Sequence, residues 1–260
     1  MFNFAKPKNP YRKKGKDYNL SENSKLTAND FAYSAKLASS IYKVFKSLQR
    51  ESCKSDTFSR FKKVVYQTIR NDQEHMLGQL RLGYGSVSPL KGFRFSKKSN
   101  WQSFFLNYPT IYFDAQKGEV RIAIPPILIH DFNKFPSRIS KIIMKMHCFQ
   151  VAIDSENTIE FNSSKDLLLQ QGDNMPSRSV VFSTKNKADV LLLCVGTLQT
   201  WLLSADGQEE FLSYNSSLMT AEIMDALLIR DGQLCSFAEE RLDDLKPPIL
   251  PVTNDEVDWI

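Results

Sequence analysis

Apolar residues recur along the chain with two different periods, and the change from one to the other divides it. From Asn29 to about Gln49, Phe31, Ala38, Ile41, Phe45 and Leu48 share one helical face, with Asn29 or Asp30 placed to cap its start. A second helix is predicted from Ser55 or Asp56, with Phe58, Phe61, Val65 and Ile69 on its buried stripe. The two should pack as a hairpin. Gly83, Gly85, Pro89 and Gly92 then interrupt the helical period, and from Trp101 onward apolar and polar residues alternate as strands require.

The clearest strand pair is 107–113 with 119–124, joined by Asp114-Ala115-Gln116-Lys117-Gly118. Next, Ile142, Met144, Met146 and Cys148 alternate with polar neighbours, after which Phe149, Val151 and Ile153 take the other parity. That switch predicts a bulge near Cys148–Gln150. Runs at 158–161, 179–182, 189–195, 198–203, 210–212 and 220–229 complete the set. The expected fold class is α+β: an N-terminal helical hairpin followed by an antiparallel β-sandwich, with an Ig-like arrangement as one form and an open barrel as the alternative. The expected domains are a flexible basic tail (1–26), the hairpin (27–82), the sandwich (83–233) and an acidic tail (234–260) with a short helix at 235–242.

Charge sharpens this division. Residues 1–100 hold 21 Lys/Arg against 7 Asp/Glu, whereas residues 101–260 hold 13 against 22, so the net +5 conceals two opposite halves. A basic front half attracts and retains acidic surfaces. The expected contacts for an anionic partner are Arg12, Lys13, Lys14 and Lys16 in the tail, Lys36, Lys43, Lys46 and Arg50 on the first helix, and Arg60, Lys63 and Arg70 on the second. Against this stands the reading that lysines on an outer helical face are merely solvated. The partner is expected to be an acidic protein, with sequence-nonspecific nucleic-acid binding as the alternative, and the opposite halves would also allow self-association.

Candidate chemistry adds little. Cys53, Cys148, Cys194 and Cys235 are widely spaced and fit reduced thiols. His75, His130 and His147 show no metal-ligand spacing, and His147 and Cys148, adjacent on a strand, point to opposite faces. Asp72 and His75 should form a surface hydrogen bond. Leu82-Gly83-Tyr84-Gly85-Ser86 matches no phosphate loop, and no nucleophile elbow occurs, so no catalytic, cofactor-binding or metal residues are expected. Trp101, Phe104, Phe105, Tyr108, Tyr112 and Phe113 form an aromatic group beside Arg94, Lys97 and Lys98; core packing is favoured over base stacking, with Phe113 and Ile111 on one face and Tyr108 and Tyr112 on the other. The longest apolar stretch, Val190–Leu203, is interrupted by Gln199 and too short to span a bilayer, and Met1–Tyr18 has no apolar centre, so a cytoplasmic protein without a membrane span is expected.

Ser21-Glu22-Asn23, Asp30-Phe31, Ala35-Lys36-Leu37-Ala38, Tyr42-Lys43-Val44-Phe45, Ile69-Arg70-Asn71-Asp72, Leu90-Lys91-Gly92-Phe93-Arg94-Phe95 and Ile122-Ala123-Ile124-Pro125-Pro126 together resemble the pattern of a family of uncharacterised bacterial proteins. The resemblance implies a basic helical hairpin followed by a β-rich half and brings no activity with it. Its distinctive part is Leu-x-Gly-Phe-x-Phe. There, Gly92 would supply a tight turn and Phe93 and Phe95 would be buried.

Overall fold

The computed structural model describes residues 21–48, 56–128, 138–153, 158–170, 172–184 and 189–237. Helix α1 spans Glu22–Leu48 and α2 spans Thr57–Ile69. α1 begins earlier than the predicted Asn29 or Asp30 cap because Ser21 serves instead: its Oγ accepts the Ser24 backbone N–H at 3.3 Å, and Glu22 places a carboxylate in the positive first turn. Residues 22–26, read as tail, are therefore helical. Leu37, Ala38, Ile41 and Phe45 of α1 are buried with Phe61, Val65 and Ile69 of α2, as their spacing requires. Phe31 lies at the edge of the stripe, 44% exposed, with the Lys62 ammonium 4.9 Å from its ring centre.

Among the described residues ten strands follow: β1 (Thr110–Asp114), β2 (Glu119–Ile124), β3 (Ile139–Ala152), β4 (Ile159–Ser163), β5 (Leu167–Gln170), β6 (Arg178–Ser183), β7 (Val190–Leu203), β8 (Glu210–Leu212), β9 (Met219–Arg230) and β10 (Gln233–Leu234). All their pairings are antiparallel. A three-stranded sheet has the order β1-β2-β6, and a seven-stranded sheet has the order β10-β9-β7-β3-β4, with β5 also pairing β3 and β8 pairing β7. This is not the strand order of an immunoglobulin domain. β5 was not predicted, and 198–203 continues 189–195 as one strand through Gly196. A Cβ at Gly196 would lie 2.8 Å from the Met224 sulfur and 3.0 Å from the Trp101 ring, so glycine here makes room for those side chains.

The result is an α+β architecture in three layers. On one face of the large sheet, Met144, Met146 and Cys148 of β3 and Leu192 and Cys194 of β7 meet Val120, Ile122 and Ile124 of β2 and Phe182 of β6. On the other face, Phe149 and Val151 of β3 and Leu191, Leu193 and Val195 of β7 meet the two helices. This explains the switch in parity. β3 runs straight through Cys148–Gln150, pairing β7 without a break from Lys141 to Ala152. What changes along it is the layer whose cover makes a position apolar: the small sheet over the even residues, then the helices over the odd ones. The register shifts instead between Ile139 and Lys141, and opposite β9 between Cys194 and Val195, where Met224 is the extra residue.

Gly92 takes φ +75°, and the chain after it lies along the edge of β9: Gly92 N–H donates to Ile223 O, Ile223 N–H to Phe93 O, and Phe95 N–H to Ala221 O. Phe93 and Phe95 are buried as expected, and Phe95 stacks on Phe45 with ring centres 3.5 Å apart. This segment thus locks the helical layer to the sheet. Cys235–Phe237 is not helical, and the remainder of the expected C-terminal helix and acidic tail falls outside the described residues, as does the N-terminal run Arg12–Lys16. No helix among the described residues is long and apolar enough to cross a membrane.

Candidate anion-binding surface

A helix packed on a sheet by one stripe presents the opposite arc to solvent. On α1 that arc carries Lys36, Lys43 and Lys46, and on α2 it carries Lys63 and Arg70; all five are exposed, and none of their side chains has a hydrogen-bond or ion-pair partner among the described residues. Residues 31–70 hold nine Lys/Arg against two Asp/Glu, so little neutralises this face. One of those acids, Asp56, is already engaged by Lys97 at 2.5 Å and lies 3.5 Å from Arg60 Nε, and the Lys97 ammonium, ahead of the guanidinium, holds its carboxyl below the usual range.

Arg60 departs from the expected set. Its Nη1 and Nη2 donate to the carbonyls of Arg94 and Phe95 at 2.8 and 2.9 Å, and its guanidinium lies over the Phe93 ring. It ties α2 to the Gly92–Phe95 segment rather than facing outward. Arg12, Lys13, Lys14, Lys16 and Arg50 lie outside the described residues. The other cations of the β half that were not singled out divide sharply. Lys117 pairs with Asp114, Lys141 with Glu210, Lys145 with Asp166, and Arg230 with Glu74 and Asp189, whereas Arg121, Lys165 and Arg178 are exposed and unpaired among the described residues. The signal for Arg121 was present in the sequence: it alternates outward between Val120 and Ile122.

Three buried or half-buried carboxylates are satisfied by the chain itself. Asp30, facing inward from mid-α1, accepts the Gly78 and Leu80 N–H groups at 2.7 and 3.0 Å. Asp72 accepts from Glu74 N, His75 N and Arg81 N, and its carboxyl also meets His75 Nδ1 at 2.9 Å. These bonds hold Asp72 below the usual carboxylate range against the opposing effect of burial. The two aspartates thereby fix the loop after α2, where Gly85 is required because a Cβ would lie 1.7 Å from the Asn71 carbonyl oxygen. Glu222 of β9 accepts the Trp101 N–H at 2.9 Å and the Tyr108 hydroxyl, and burial followed by this carboxylate pushes the Tyr108 hydroxyl well up. The aromatic group is core, as expected, with Trp101, Phe104 and Phe105 buried, Ile111 and Phe113 packed inward and Tyr112 facing out; Tyr108, expected on the face of Tyr112, instead packs inward because it precedes β1 and is not bound by its alternation.

His147 and Cys148 do point to opposite faces. Cys148 lies directly opposite Cys194 between the sheets; a hydrogen bond between these thiols, together with burial, pushes the Cys194 thiol well up, away from the reactive thiolate. No three His, Cys, Asp or Glu side chains converge for a metal among the described residues. In comparisons with known proteins, no family model, no curated protein and no solved structure matches this chain.

Proposed function

We propose that this protein is a non-enzymatic interaction or assembly protein that presents the basic outer face of its helical layer to an acidic protein partner. The observation that carries this reading is the contrast in pairing. Lys36, Lys43, Lys46, Lys63 and Arg70 stand free on adjoining helices, while most lysines and arginines of the large sheet are matched to carboxylates. A solvated surface designed only for solubility mixes both signs. This one does not. Residues 101–237 hold 15 Asp/Glu against 11 Lys/Arg, and this smaller acidic surplus adds orientation by disfavouring approach of the same partner from the sheet side.

The test compares the full chain with a Lys36→Glu/Lys43→Glu/Lys63→Glu variant, using polyglutamate and single-stranded DNA as probes over a salt series. Exposed charge pairs contribute up to about 1 kcal/mol each, so loss of three lowers polyglutamate affinity by about tenfold or more at low salt. Binding of DNA with a steep salt slope and no binding of polyglutamate would transfer the face to nucleic-acid phosphates. Equal affinity of wild type and variant for both probes would refute the role of this face.

A further inference from the structure

The seam between α1 and α2 carries two kinds of side chain. Phe31 and Tyr42 of α1 meet Tyr66 and Phe58 of α2 with ring centres 5.7 and 5.4 Å apart, and none of the four is fully buried. The Lys62 ammonium lies over the Phe31 and Phe58 rings, 4.9 and 5.9 Å from their centres. Beyond the seam, the exposed Lys36, Lys43 and Lys46 of α1 and Lys63 and Arg70 of α2 surround it with positive charge. A ligand that matches this face is both anionic and apolar.

One segment of the chain has that composition. Residues 238–260 hold seven Asp/Glu against two Lys/Arg, and their first acids come in pairs between leucines, as Glu239-Glu240-Arg241-Leu242-Asp243-Asp244-Leu245. The segment lies outside the described residues, but the fold fixes where it starts. Cys235 N–H donates to Leu228 O at 2.8 Å on β9, and Cys235 and Phe237 pack against the core that the helices share with the large sheet. Glu239, two residues further on, therefore begins on the helical side of that sheet. The 23 residues extend at most about 75 Å, against about 40 Å for the whole of α1, so reach does not limit the contact. A tether this short holds the acids at an effective concentration in the millimolar range. We propose that segment 238–260 folds back onto the outer seam of α1 and α2 and occupies, within one molecule, the face that an acidic protein partner must take. Leu242 and Leu245 would cover the aromatic rings while the flanking carboxylates meet the lysines. The inference rests on the reading of this face as an acidic-protein site and supplies its regulation, since a partner binds only by displacing the segment.

The test uses the full chain and a full-length Glu239→Gln/Glu240→Gln/Asp243→Asn/Asp244→Asn variant, with polyglutamate as probe. The neutralised variant should bind polyglutamate about tenfold more tightly at low salt, and the difference should vanish at high salt. In parallel, a water-soluble carbodiimide, which joins carboxylates to amines in contact, should link acids of 238–260 to Lys36, Lys43, Lys46 or Lys63 within the monomer fraction of the wild type. Equal polyglutamate affinity of the two proteins, or cross-links confined to residues 1–20 or to dimers, would overturn the fold-back. The Lys36→Glu/Lys43→Glu/Lys63→Glu variant separates the two claims. If it loses polyglutamate while neutralising the segment changes nothing, the face binds acids and the fold-back alone fails. If it retains polyglutamate, the reading of the face fails, and the cross-links by themselves decide the fold-back.

Discussion

His147 makes the stability of this protein depend on pH in a calculable way. It is 3% exposed on the central strand β3, with Nδ1 2.7 Å from Ser163 Oγ and Nε2 3.1 Å from Thr197 Oγ1. Thr197 donates its own hydroxyl proton to the Lys145 carbonyl, so it accepts from Nε2–H, and Nδ1 accepts from Ser163. Both ring nitrogens are therefore satisfied in the neutral form. Protonation would place a second donor against the Ser163 hydroxyl and a charge in the interior. Burial foremost, and then the Lys145 ammonium, lower the pKa to about 4, with Asp166 opposing.

A histidine with a lowered folded pKa binds more protons when unfolded. Its contribution is fully present above the unfolded value and is lost as pH falls from about 6.5 toward 4. The full shift corresponds to about 3 kcal/mol, of which about 2.5 kcal/mol is gone by about pH 4.5. His147→Gln removes the titrating group. The variant is less stable at neutral pH, but its deficit relative to the wild type should narrow by about 2.5 kcal/mol between about pH 7 and about pH 4.5, since other carboxylates titrate alike in both. Urea denaturation of the two proteins over this range reads the difference directly. A deficit that stays constant with pH would refute both the tautomer and the buried neutral state.

Two further perturbations probe the loop and the layers. Asp30→Ala strands the Gly78 and Leu80 N–H groups in a site where the carboxylate is 1% exposed; at about 1–3 kcal/mol per orphaned donor, unfolding free energy should fall by about 2–5 kcal/mol, with faster hydrogen exchange at those two amides. Gly196→Ala forces a methyl group against Met224 and Trp101 and should cost about 1–3 kcal/mol with a shifted Trp101 emission, whereas an unchanged melting temperature would mean the layers adjust freely.

Much of the candidate surface could be read before any fold was known. The spacing of Lys36, Lys43 and Lys63 placed them opposite the apolar stripe, and they are exposed there. Arg60 obeyed the same spacing and was lost to the surface for a reason no spacing contains: the carbonyls of Arg94 and Phe95, distant in sequence, come within reach of its guanidinium.

The sequence by itself determined both helices, most of the strands, and most of the buried stripes and outward arcs, because a period of 3.6 or of 2 is a local property of the backbone. It also determined the turn at Gly92 and the burial of Phe93 and Phe95. Only the tertiary structure decided that the large sheet is covered by helices on one side and by a small sheet on the other. That is why the apolar parity of β3 changes without a bulge. Which layer covers a residue depends on pairings between strands far apart in the chain, and a local pattern records that a side chain is buried but not what buries it.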